Sequence, residues 1–252
     1  MMGLSAEAQE AVLLSLRVAG VATLASLPFA LAAATLLARG RFAGRWVLNG
    51  LVHLPLVLPP VVTGYLLLLA FGRQGPIGGL LEAWFGITFA FRWTGAALAG
   101  AVMGFPLMVR AIRLSLETVD PKLDEAAATL GAGPVWRFAL VTLPLILPGI
   151  VAGMVLGFAK ALGEFGATIT FVSNIPGETR TLPTAIYTFL QVPGAETEAV
   201  VLSVLSIAIA LGALALAETL GRAAARLTGE RGDEAQPRAR RTRDHTPPGH
   251  AP

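Results

Sequence analysis

Two stretches hold the residue types from which this sequence could build a working site, and neither is equipped for bond-making. In the first, Thr168, Thr170, Ser173, Asn174 and Arg180 fall between Gly163 and Gly194. Hydroxyls and an amide offer neutral donors, and the guanidinium offers a planar cationic fork, a set that suits a passing anion. The same residues equally suit a plain structured loop whose hydroxyls cap turns. The second stretch runs from Asp120 to Pro148. Asp120-Pro121 reads as an N-cap with proline at the first helical position, and Asp124 and Glu125 follow at the positive end of the helix dipole. Lys122 to Leu130 are mostly good helix formers, and Gly131 with Gly133-Pro134 stops them. Ala126, Ala127 and Ala128 supply a small-residue face that lets a partner approach closely. This predicts a short docking helix outside the bilayer.

Other chemistries are excluded. The chain has no cysteine, so disulfides, thiolate catalysis and cysteine metal sites are out. No Gly-x-x-x-x-Gly-Lys-Ser/Thr occurs, and neither Lys122 nor Lys160 follows a glycine. The chain therefore carries no phosphate-cradling loop, and any ATP is used by a partner. His53 falls within an apolar run, and His245 and His250 lie near the C-terminus with only Asp244 beside them, so no metal site is expected. His53 reads as a hydrogen-bonded interfacial or pore-facing side chain. No nucleic-acid partner is expected.

The elements that must position these stretches are membrane spans. Charged residues make up only 14% and hydrophobic residues 54%, against about 25% charged in soluble domains. Five uncharged runs stand out: Val18 to Ala38, Trp46 to Gly72, Trp93 to Val109, Phe138 to Ala159 and Ala199 to Ala217. A helix needs roughly 20 apolar residues to cross a ~30 Å hydrocarbon core. The short Trp93 run reaches that length if Arg110 snorkels to the interface, and the first helix is expected to start near Ala11. The start of the chain has no basic region and no small-residue cleavage site, so no removable signal peptide is expected.

Lysine and arginine set the orientation. With the Arg39–Arg45 loop, the 110–137 loop and the C-terminal region on one side, that side holds 14 of the 19 basic residues. The positive-inside rule then puts the N-terminus outside and the C-terminus in the cytoplasm. The docking helix falls on the cytoplasmic side and the 163–194 stretch outside. Prolines 28, 55, 59, 60, 106, 144 and 148 lie in or at the ends of spans, as kinks that fit a bundle or as hinges. Gly149, Gly153 and Gly157 repeat every fourth residue, as do Gly100 and Gly104, which predicts close helix packing within or between subunits. No acidic residue lies within the runs and no inverted repeat is evident, which weakens a proton-coupled carrier. Residues 223–252 are charged, proline-rich and aperiodic, and read as a disordered tail.

Glu125-Ala126-Ala127, Gly131 and then Val141-Thr142-Leu143-Pro144 resemble the "EAA" loop of ABC importer permeases, whose pattern usually has Ile where Val141 stands. Gly163-Glu164-Phe165-Gly166-Ala167-Thr168 and Asn174-Ile175-Pro176-Gly177-Glu178-Thr179-Arg180-Thr181 narrow the resemblance to the sulfate, molybdate and tungstate permease family, closest to its molybdate members. The resemblance spans about residues 11–222 and implies an all-α membrane protein with the type I (MetI-like) ABC importer permease fold. It further implies a homodimeric, non-enzymatic permease in the inner membrane that binds no cofactor itself. Its partners would be two cytoplasmic ATPases that use ATP and magnesium, a periplasmic molybdate-binding protein and membrane lipid. Asp124, Glu125, Ala126, Ala127 and Gly131 would couple the ATPase, and alternating access would move molybdate. Thr168, Thr170, Ser173, Asn174 and Arg180 would line a path or gate.

Overall fold

A computed structural model describes residues 5–227, and among these there is helix and no strand. The first element, α1 (Ala6–Arg39), begins five residues earlier than expected because Ser5 caps it, its hydroxyl accepting from Ala8 N at 3.3 Å. Its 34 residues span ~51 Å at 1.5 Å each, well beyond the hydrocarbon core. The face it buries is mostly small residues, Ala8, Ala11, Ser15, Ala19, Ala22, Ser26, Ala30 and Ala34, with Val18, Thr23 and Leu37 beside them. Those let it lie close against α5 (Trp93–Thr118), its most extensive neighbour. The expected third span thus runs 26 residues, past Arg110.

The run from Trp46 to Gly72 is not one straight span. It forms α2 (Arg45–Val57) and α3 (Pro60–Phe71), which meet at 115°. Leu58 and Pro59 each precede a proline, whose ring disfavours the helical region for the residue before it. Both are extended, with ψ of 143° and 133°. The run from Phe138 is also broken. After α7 (Pro134–Arg137) comes a π turn over 138–142, then α8 (Leu143–Leu145) and α9 (Leu147–Leu162), with a 69° bend. Pro144 cannot donate to the helix ladder, and the wide turn lies immediately before it, with Leu143 N bonding to Phe138 O. Among the described residues three helices are long and apolar enough to cross alone, α1, α5 and α12 (Glu196–Leu227), and the total reaches five only when each bent pair counts as one span.

Small elements fill the rest. α4 (Pro76–Phe85) follows α3 and is clasped by Arg73, whose Nε donates to Glu82 Oε1 at 3.0 Å. That hydrogen bond and charge hold the exposed Glu82 carboxyl below its usual range. α6 (Pro121–Thr129) is the expected docking helix. The 163–194 stretch, expected as an irregular external loop, folds instead into α10 (Gly166–Val172) and α11 (Leu182–Phe189). α10 is not peripheral: Ala167, Thr168, Phe171 and Val172 are buried against α3 and α5, because an apolar i, i+4 pair such as Ala167 and Phe171 has a core to enter. α12 runs to Leu227; the tail expected over 223–252 lies outside the described residues from 228 on.

The repeated glycines pack within the chain, between α5 and α9. A Cβ on Gly104 would stand 2.9 Å from Gly157 O, one on Gly153 3.2 Å from Met108 O, and one on Gly157 2.7 Å from Met108 side-chain atoms. At Gly104 the obstacle is backbone, which cannot swing aside. Gly104→Leu should therefore force the helices apart, at a cost of about 1–3 kcal/mol or more. Gly20→Ala, with open space around its Cβ, should be near neutral. Thermal denaturation of the purified variants in detergent checks both: a clear drop in Tm for the first, little change for the second.

Candidate functional site

The docking helix α6 is built as its sequence implies and is exposed along its length, with no buried residue. Asp120 caps it, Oδ1 accepting from Lys122 N at 2.9 Å. Its C-terminus closes with two reverse bonds, Gly131 N to Ala128 O at 3.0 Å and Ala132 N to Ala127 O at 3.2 Å. Those bonds require a left-handed residue, and Gly131 supplies it at φ +83°.

The five residues expected to couple an ATPase separate into two groups. Asp124 faces inward, where its Oδ2 pairs with Arg137 Nη1 at 3.0 Å and ties α6 to α7. Ala127 is half-buried, and its carbonyl closes the end of the helix. Glu125 and Ala126 are exposed, Glu125 at the edge of a cavity it shares with Arg39, Arg41 and Arg45. A second tie fastens this end of the bundle: Arg39, the last residue of α1, donates from Nη2 to the buried Thr142 hydroxyl at 3.3 Å. Sequence reasoning missed the apolar residues beside the knob. Leu123, Leu130, Val135 and Trp136 are 46%, 88%, 77% and 64% exposed, too much for a helix end that meets only water. The signal was present: a tryptophan and leucines inside an otherwise polar loop.

At the other end, the five path candidates do not form one group. Thr168 is buried on α10. The Thr170 hydroxyl donates to Gly166 O at 2.8 Å, within its own helix. Ser173 is exposed at φ +64°. Asn174 and Arg180 do meet: Arg180 Nε donates to Asn174 Oδ1 at 3.1 Å, and Asn174 Nδ2 donates to Thr188 Oγ1 at 2.7 Å. Arg180 Nη1 then pairs with Glu7 Oε2 at 3.0 Å, on the first turn of α1. Glu178 Oε1 accepts from Trp93 N at 3.4 Å, at the start of α5. Leu182 N donates to the buried Ser15 hydroxyl at 2.6 Å. Segment 173–181 is thus a clasp that gathers the ends of α1, α5 and α11, organised around the fully buried Thr179, which no sequence argument had singled out. Glu164, expected in the loop, is also buried, held by Lys160 Nζ at 2.8 Å and accepting from Ala167 N at 3.0 Å. His53 bonds through Nδ1 to Asn49 O at 2.9 Å. No cluster of three or more metal-ligating side chains occurs among the described residues.

The structure is thus a bundle of long and proline-broken apolar helices carrying a tethered, exposed short helix. Residues 26–226 match the family described as binding-protein-dependent transport system inner membrane component. The chain belongs to that family. This permease is 63% identical over 214 residues to the molybdenum transport system permease protein ModB of Escherichia coli K12, covering 84% of this chain and 93% of that one. It is 58% identical over 213 residues to the protein of the same name from Haemophilus influenzae, again covering 84% and 93%. Among solved structures, a bacterial ABC transporter involved in the import of alginate superposes with a TM-score of 0.68 at 19% identity, over 86% of this chain and 80% of that one, a likeness of fold. The permease is a multi-pass inner-membrane transport subunit of an ABC importer, not an enzyme.

The left-handed turn after α6 gives a direct test. A Cβ at Gly131 meets no neighbour within 4 Å, so only its dihedral restricts substitution. Gly131→Ala should cost about 1 kcal/mol or more and loosen the last turn of α6, Gly131→Asn should cost less, and Gly133→Ala, at negative φ, should cost little. Hydrogen exchange at the α6 amides ranks the three; equal exchange in all would show that the turn does not depend on Gly131.

Proposed function

We propose that this permease moves molybdate into the cytoplasm by alternating access, as a homodimer carrying two ATPase subunits and receiving its anion from a periplasmic molybdate-binding protein. The observation that carries the substrate assignment is the 63% identity, over most of both chains, to a molybdenum transport permease. In this reading the N-terminus is periplasmic and the C-terminus cytoplasmic, as the 14-to-5 division of basic residues favours. The chain binds no cofactor, and ATP with magnesium belongs to the ATPase.

Glu125, Ala126 and the exposed Leu123 and Leu130 form the face offered to the ATPase, while Asp124 and Gly131 hold that face in shape. Molybdate is a tetrahedral dianion, and hydrocarbon excludes it at great cost, so its route is a hydrated one between subunits. Thr168, Thr170, Ser173, Asn174 and Arg180 belong to the outer portion of that route or to its gate. The binding protein supplies most of the selectivity. To turn a 1:99 balance of states to 99:1, nucleotide binding must favour one state by ~5.5 kcal/mol. The clasp at 173–181 lets such a bias reach the outer face, because it joins the ends of three helices.

The test is uptake into proteoliposomes containing the permease and its ATPase, with binding protein preloaded with molybdate, tungstate or sulfate. ATP-dependent accumulation of molybdate but not sulfate is expected. Sulfate accumulation would keep the mechanism and overturn the substrate, and equal flux without ATP would overturn both. Glu125→Lys, which reverses an exposed charge on the docking face, should lower uptake by roughly tenfold or more while leaving the protein inserted. Unchanged uptake in that variant removes Glu125 from the coupling face.

A further inference from the structure

We propose that the cavity between the end of α1, the α1–α2 turn and the start of α6 binds the phosphodiester headgroup of an anionic bilayer phospholipid. The cavity encloses about 590 Å³, and its charged lining is Arg39, Arg41, Arg45, Glu117, Asp124 and Glu125. Two of its three carboxylates are neutralised from outside the cavity. Glu117 Oε1 pairs with Arg113 Nε at 2.8 Å, and Asp124 Oδ2 with Arg137 Nη1 at 3.0 Å. Arg39 gives one donor to Thr142, and neither Arg41 nor Arg45 has an ion-pair partner among the described residues. Three guanidiniums therefore face one carboxylate without an ion pair, Glu125, and the cavity has a surplus of positive charge and of planar donors suited to a phosphodiester.

Its position selects a lipid over a free anion. Arg39 ends α1 and Arg45 begins α2, so the cavity sits at the boundary where two apolar helices leave the bilayer. Phe42 and Trp46, 43% and 79% exposed, stand on the same turn, as aromatic anchors do at the headgroup level. Deeper along α1, α2 and α5, the last of which also lines the cavity through Leu116 and Glu117, lies an apolar groove of about 480 Å³ whose walls include Phe29, Leu51, Val52, Pro55 and Phe105. Val52 is seven residues from Arg45, two turns and ~10 Å along α2, on the same side of the helix. A phosphate ion uses only the charged cavity. A phospholipid fills both, with its headgroup among the arginines and an acyl chain in the groove. The headgroup then lies against Asp124 and Glu125, directly beneath the docking helix, and couples the charge of the bilayer to the placement of α6.

The experiment is native mass spectrometry of the full chain in detergent, exchanged with equal amounts of phosphatidylglycerol and phosphatidylcholine. Wild type should retain phosphatidylglycerol preferentially. Arg41→Gln with Arg45→Gln should lower that preference by about fivefold per arginine, roughly thirtyfold for the pair. Arg41→Lys with Arg45→Lys should keep most of it. Equal retention of the two lipids by wild type overturns the proposal, as does an undiminished preference in the glutamine variant. The wild-type comparison stands even if a variant fails to insert. Inorganic phosphate added without lipid distinguishes the sources: if it binds the same site and displaces phosphatidylglycerol at millimolar concentration, the cavity is a free-anion site and the lipid assignment falls.

Discussion

The seam between α5 and α9 is the contact on which the working geometry rests. Inside hydrocarbon there is no hydrophobic gain in pressing one apolar helix on another, so association comes from backbones that approach closely enough for dense packing. Gly104 and Gly157 permit that approach at one level, and Gly153 against Met108 and Gly149 against Ser115 continue it toward α6. The exposed helix α6 is the tip of this pair. α5 ends at Thr118, α6 starts at Pro121, and the chain returns through α7 and α8 into α9. A tip set on two helices locked along three glycine levels moves with them.

Polar contacts then fix what packing leaves free, and they gather at the two ends of the bundle. At the α6 end these are Asp124 with Arg137 and Arg39 with Thr142. At the other end they are the 173–181 clasp and Arg17 stacked on the Trp93 ring, 3.8 Å from its centroid. That division follows from solvent. Charges within the hydrocarbon are costly, so hydrogen-bonded specificity is placed where chain and water meet. The exceptions inside use short reach: the Thr23 and Ser26 hydroxyls donate to carbonyls four residues back, at 2.8 and 2.6 Å, and expose no polar atom to lipid.

Much of this was legible in the residues. The capping of α6 by Asp120 and Pro121, its termination at Gly131, and three of the five apolar runs as long helices depend on local rules that tertiary contacts did not override. The two bent pairs were hidden because an uncharged run reports only affinity for hydrocarbon. It says nothing of direction, and Pro59-Pro60 and Pro144 to Pro148 turn the backbone without changing that affinity. The 163–194 stretch was misread as loop because the seven residues of α10, two of them threonine, are too few to show a period, and only burial against α3 and α5 makes them a helix worth forming.

The two routes from the knob into the membrane are mechanically unequal. On the α5 side only Val119 and Asp120 separate a continuous 26-residue helix from α6. On the α9 side stand a four-residue helix, a π turn and a 69° bend at Ile146, which together interrupt the straight run of the helix. Displacement of α6 therefore passes to α5 as to a rod, and to α9 through a jointed link. Asp124–Arg137 bridges the link, but both side chains are partly exposed, and such pairs contribute only about 0–1 kcal/mol. The bridge aligns the joint without locking it. A bundle tied tightly at the glycine seam and loosely at this joint can tilt as a unit while α7 and the π turn absorb the change in angle, which is what a subunit moved from outside requires.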